Sequence, residues 1–157
     1  MFLKDAFENA APEIIQRFKE AIRSKPIPRK SAYKGEFSAV ANASGRLAES
    51  AEVIIDDYSL KLIAFDYWQT LAYGRAPGSV PNVDSIQEWI INKNLDLNAN
   101  STALNIGFFG TTIWQKFQGA NSGIFSEVVN ESIIEMISDR LVFDYVNDVT
   151  QTLPSKL

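Results

Sequence analysis

The chain has 157 residues with 46% apolar and 11% aromatic side chains, the make-up of one globular domain able to bury roughly two-thirds of its unfolded surface. It contains no cysteine and no histidine, which excludes disulfides, thiolate metal sites, cysteine nucleophiles and histidine general bases. The net charge of −4 is uneven: residues 1–35 carry eight Lys/Arg against four acids, and residues 36–157 carry seven against fifteen.

A basic front and an acidic body fit head-to-tail contact between copies, or contact with an acidic partner. For any single charge, a solvated helix face or polar linker explains as much. No apolar run reaches the ~20 residues of a membrane helix, and the start is charged from Lys4 onward. The expectation is a soluble protein made in the cytoplasm, with no membrane contact.

Leu3, Phe7, Ala11, Ile14, Ile15, Phe18 and Ile22 recur at helical spacing and predict a helix over 3–23. Pro26 and Pro28 forbid its continuation, so 24–36 is expected as a linker or extended arm, with the first helix displaced from the body. Arg23, Lys25, Arg29, Lys30 and Lys34 make this a basic docking arm. The organisation expected is a helix and arm over 1–35 and an α+β body over 36–157.

Residues 42–50 predict a short helix or turn capped by Ser44. Two β-branched and aromatic runs between Glu52 and Trp68 flank Asp56-Asp57-Tyr58-Ser59 and predict a hairpin. Next comes a loop stiffened by Pro77 and Pro81, where Gly74 and Gly78 supply positive φ. Asn82 or Asp84 then caps a helix with Ile86, Trp89 and Ile90 on one face, ending near Lys93. Residues 98–102 form a polar break, 102–110 a helix stopped by Gly110, and 118–123 a turn. Phe125 to Val149 predicts a long last helix.

No catalytic constellation stands out. Asp56 and Asp57 are adjacent, point to opposite faces of a strand, and suit a turn. Asp139 and Asp144 read as helix-surface charges. Gly107 to Thr112 lacks the Gly-Lys-Ser/Thr ending of a phosphate loop, and Ser44 lacks the glycine that precedes a nucleophile elbow. No catalytic, cofactor-binding or metal-ligating residue is expected, and no enzyme activity. Trp68, Trp89 and Lys93 read as interface or core anchors, and phosphate contact by the basic arm is a secondary reading.

Three segments carry a family resemblance. Asn42-Ala43-Ser44-Gly45-Arg46-Leu47-Ala48-Glu49-Ser50 is the first. Tyr73-Gly74-Arg75-Ala76-Pro77-Gly78, followed by Pro81, Ile86, Trp89, Ile90 and Lys93, is the second and most specific. Ala103, Ile106 and Gly110-Thr111 complete the set. Together they resemble the head–tail joining or tail-completion (neck) proteins of tailed bacteriophages, over about residues 42–112. Where many members place an acidic residue and a glycine before the turn, this chain has Leu71-Ala72-Tyr73-Gly74.

The resemblance implies an α+β domain with an antiparallel sheet, assembled as a sixfold or twelvefold ring in the virion. Its neighbours would be portal or adaptor and tail-tube proteins, with DNA in the channel nearby. Tyr73, Gly74, Arg75, Pro77, Gly78 and Pro81 would form its docking loop. A soluble non-viral adaptor, reaching nucleic acid through the basic arm, is the other reading, and an acid-dependent enzyme is a third.

Overall fold

A computed structural model describes residues 2–31, 35–40 and 44–152. The fold is α+β: helices dominate, joined by two separate two-stranded antiparallel sheets. The helices are α1 (Phe2–Ser24), α2 (Arg46–Glu49), α3 (Tyr67–Tyr73), α4 (Val83–Asn92), α5 (Ala99–Phe109), α6 (Thr112–Phe117) and α7 (Glu131–Thr152). One sheet pairs β1 (Pro26–Ser31) with β2 (Gly35–Val40), and the other pairs β3 (Glu52–Asp56) with β4 (Ser59–Ile63).

The first helix is not displaced from the body. Ala10, Ile14, Phe18, Ala21 and Ile22 form a stripe at helical spacing, and the core assembles around it. The same core holds Ile27 of β1, Leu47 and Ala48 of α2, Leu71 of α3, Ile113 of α6 and Ile133 of α7. Phe18 stacks on Phe125 with centroids 5.0 Å apart, and Trp68 meets Phe125 edge-on at 6.1 Å. Burying a stripe of this size yields a few kcal/mol per large side chain, far more than a solvated helix on an arm would gain.

The segment expected as an unpaired arm is also part of the fold. Pro26 to Ser31 pairs with Gly35 to Val40, and Ile27 is buried. A two-stranded ribbon tolerates the prolines because both of its strands are edges, so a missing N–H interrupts no central ladder. Arg29 and Lys30 fall at strand positions opposite Phe37 and Glu36, while Lys34 lies outside the described residues.

The second hairpin follows its alternation. Val53 and Ile55 face inward with Leu60 and Leu62, while Ile54, Lys61 and Ile63 face out. Asp57 and Tyr58 make the turn, and Asp56 accepts a hydrogen bond from Ser59 Oγ at 3.1 Å. The strand signal does not extend to Trp68. Tyr67 begins α3 instead, whose first turn closes through Trp68 N–H to Phe65 O and Gln69 N–H to Asp66 O. Helical spacing then buries Leu71 and Ala72 side by side, which a strand could not do.

Two further boundaries differ from expectation. Ser44 does not cap α2; Gly45 occupies that place at φ 82°, and Ser44 Oγ accepts from Arg46 Nε at 3.3 Å. The last helix starts at Glu131, not Phe125, because Asn130 caps it by accepting from Ile133 N–H. Phe125 and Val128 reach the core from turns whose spacing imitates a helix.

Candidate functional site

The loop between α3 and α4 is fastened along its length. Gly74 ends α3 at φ 75° and ψ −179°, a conformation open only to glycine. Arg75 N–H donates to Thr111 Oγ1 at 2.9 Å, and Thr111 N–H donates back to Arg75 O at 2.9 Å. Farther along, Gly78 N–H donates to Gly107 O at 2.8 Å. That carbonyl lies in the last turn of α5, where helix oxygens have no partner of their own, so the loop serves as the helix's cap. The Arg75 guanidinium folds over the loop and donates from Nη2 to Ser79 Oγ at 2.8 Å. Ala76, Pro77, Gly78 and Ser79 remain exposed at the tip.

Trp114 is the post to which this fastening holds. Gly74, Gly110 and Gly119 all have positive φ, and a Cβ on any of them would run into Trp114. At Gly74 it would meet the Trp114 backbone, at Gly110 Trp114 Cδ1 at 2.9 Å, and at Gly119 Trp114 Cζ3 at 2.6 Å. Gly107 lets Val80 approach the side of α5 in the same manner. Three chain reversals close against this one residue, two on its indole and one on its backbone, so the loop cannot shift without moving the α5–α6 junction.

A groove of about 610 Å³ runs beside the loop. Arg46 and Leu47 of α2 and Tyr67 and Leu71 of α3 line it, together with Arg75, Ile86, Trp89, Ile106 and Thr111. The three segments of the family resemblance therefore converge on one concavity, although they are far apart in the chain. The first two are also joined directly: Arg46 Nη2 lies 2.6 Å from Glu88 Oε1. Glu88 is the single acid among the described residues that line the groove, and it is engaged in that ion pair. Besides that pair the lining is apolar side chains, Arg75 and several hydroxyls and amides, a surface for holding a protein segment.

Not every expected residue comes to this place. Pro81, Arg75 and Trp89 line the groove; Tyr73 is exposed beside it. Trp68 belongs to the core, packed on Phe125. Lys93 is a brace within the fold, its Nζ donating to Val40 O at 2.8 Å and tying α4 to β2. Arg23 and Lys25, at the end of α1, do not line the groove, although Ile22 does; Lys25 borders a separate hollow with Glu13, Arg17, Glu20 and Glu127. Asp139 is exposed, and Asp144 pairs with Arg140 at 2.9 Å.

Sequence reasoning named Arg46 and Thr111 only as parts of the resembling segments, without their contacts, and missed the role of Trp114. A tryptophan with Gly110 four residues before it and Gly119 five after it was the available signal. Among the described residues no helix is long and apolar enough to cross a membrane, and no acidic cluster could hold a metal ion. Comparison with protein-family models, curated proteins and solved structures finds no match for this chain.

Proposed function

We propose that this chain is a structural, non-catalytic subunit of a phage neck or tail terminus, forming a ring between the portal or adaptor complex and the tail. The observation that carries this reading is the loop from Gly74 to Pro81. It is pinned to Thr111 and Gly107, packed around Trp114, and exposed at its tip. A loop already held in one shape loses little entropy on docking, so most of its contact energy appears as affinity. The convergence of the resembling segments on one groove supports the same reading, since a joining protein needs a fixed docking face.

The test is to locate the protein in purified particles by gold-labelled antibody and electron microscopy. Label at the head–tail junction supports the proposal, and particles without the protein overturn it. Loop function is probed by Ala76→Glu at the exposed tip. Deleting residues 74–81 is the wrong probe, because it would remove the cap of α5 as well. The groove also supports a second reading, a soluble adaptor gripping an apolar peptide segment, and absence from particles would favour it.

A further inference from the structure

We propose that the tip of the second hairpin, Asp57-Tyr58, enters the groove beside the docking loop on a second copy of this chain. The inference rests on the subunit reading above and names the two parts that meet.

Tyr58 is 88% exposed, the most exposed large apolar side chain among the described residues. Other exposed aromatic side chains, such as Phe108 and Tyr145, lie along helices, whereas Tyr58 stands on a two-residue turn that can insert into a concavity. Turn preference does not account for it. The turns that suit a hairpin need positive φ, which neither Asp57 nor Tyr58 has, and tyrosine is not a turn-forming residue type. An aromatic ring held in water on a paired hairpin offers a large contact area at little entropic cost.

The hairpin keeps this tip out of its own groove. All five residue pairs from Glu52↔Ile63 to Asp56↔Ser59 are formed, and Val53, Leu60 and Leu62 pack against the core. Four steps of ~3.4 Å carry the tip about 14 Å beyond the Glu52↔Ile63 end. Phe65, just past that end, lines the groove, while none of residues 52–63 does. A hairpin paired and packed in this way cannot fold back, so Tyr58 meets a groove only on another copy.

Charge selects the same occupant. In the groove Arg46 and Glu88 compensate each other, which leaves Arg75 as the unbalanced charge of the lining. Its Nη2 donates to Ser79, and its Nε and Nη1 have no acceptor among the described residues. At the tip, Asp56 is held by Lys61 at 3.6 Å and by Ser59, but Asp57 has no ion pair among the described residues. An unpaired carboxylate beside an exposed ring matches an unpaired guanidinium beside Ile86, Trp89 and Ile106. The groove, at about 610 Å³, is of the size that encloses a whole small ligand, so one ring and its turn fit. Tip against tip would set Asp57 against Asp57, and groove against groove would leave both concavities unfilled. A tip in a groove joins two different faces, so the contact propagates and closes as a ring if the rotation permits.

The test uses full-length variants in sedimentation velocity, with circular dichroism as the check on folding. Asp57→Asn/Tyr58→Gly removes the charge and the ring while installing a turn that favours the hairpin. Arg75→Glu reverses the groove's charge, and Ser85→Trp fills the groove from an exposed position on α4. Wild type should assemble beyond a dimer, and added salt should weaken it. The tip variant and each groove variant should associate roughly thirtyfold more weakly, or worse. Tip variant mixed with groove variant should give a 1:1 pair that grows no further, because one intact tip and one intact groove remain.

Wild type that is monomeric at every accessible concentration overturns the proposal. So does a folded tip variant that assembles like wild type, which means that another segment makes the contact. Groove variants that both assemble like wild type overturn it too, since the tip is then seated elsewhere. A mixture of folded variants that forms no pair has the same consequence. Particle localisation is judged separately: head-to-tail assembly by a protein absent from particles would keep this interface and discard the neck role.

Discussion

Replacing Gly74 by alanine tests the idea that Trp114 fixes the docking loop. Two costs combine at this position. Gly74 has φ 75° and ψ −179°, where a residue with a Cβ pays about 1–3 kcal/mol in backbone strain. The new Cβ would also lie 2.8 Å from Trp114 Cα and 2.9 Å from Thr111 Oγ1, and overpacking against backbone costs a further ~1–3 kcal/mol. The expected loss is about 2–6 kcal/mol, a fall of roughly 4–24 °C in Tm for a chain of this size. Gly78→Ala is the control, four residues along the same loop. Its φ is 135°, but nothing lies within 4 Å of the added Cβ, so strain alone acts there. Both variants are unfolded in urea and followed by tryptophan fluorescence. Low protein concentration keeps any subunit association from adding to the stability. Gly74→Ala should be less stable than Gly78→Ala by at least ~1 kcal/mol, the steric part of the sum. Equal stabilities within ~0.5 kcal/mol would refute the packing around Trp114.

Ile133→Ala should cost about 2–5 kcal/mol in urea unfolding because its side chain is fully buried, whereas exposed Val142→Ala should change monomer stability by less than ~0.5 kcal/mol. Arg17→Ala removes charged hydrogen bonds to Asn130, Ser132 and Glu13 and should destabilise by about 1.5–3 kcal/mol; Arg17→Lys should recover little, since an ammonium cannot span that fork. Asn82→Ala removes the cap that accepts from Asp84 and Ser85 N–H, and should lower stability by about 1 kcal/mol with faster amide exchange in the first turn of α4. Asn82→Asp keeps an acceptor there and should restore most of the loss.

Local signals carried far where a residue's preference depends on its neighbours in the chain. Asn82 caps α4, Gly110 stops α5, Asp57-Tyr58 turn the second hairpin, and the stripe on α1 is helical, all as their residue types dictate. Errors arose where two local readings were equally available. Pro26 and Pro28 break a helix equally well in a free arm or in an edge strand, and only pairing with Gly35–Val40 decides. Phe125 continues the period of α7, yet Asn130 offers the better cap. Of the loop, its stiffness and the positive φ at Gly74 and Gly78 were legible. Its attachment was not, because Thr111 and Gly107 lie some thirty residues away.

By itself the sequence determined an α+β chain without histidine or cysteine, the helical stripes, the proline-braced turn and the opposed charges of its two ends. Tertiary structure alone decided that α1 is central, that three distant segments share one groove, and that half of α7 is left uncovered. The division has a physical cause. Helix periodicity, capping and turn preference act over a few residues and are written in order along the chain. Burial and the seat of Trp114 among its glycines depend on which surfaces meet, and only the folded chain specifies that.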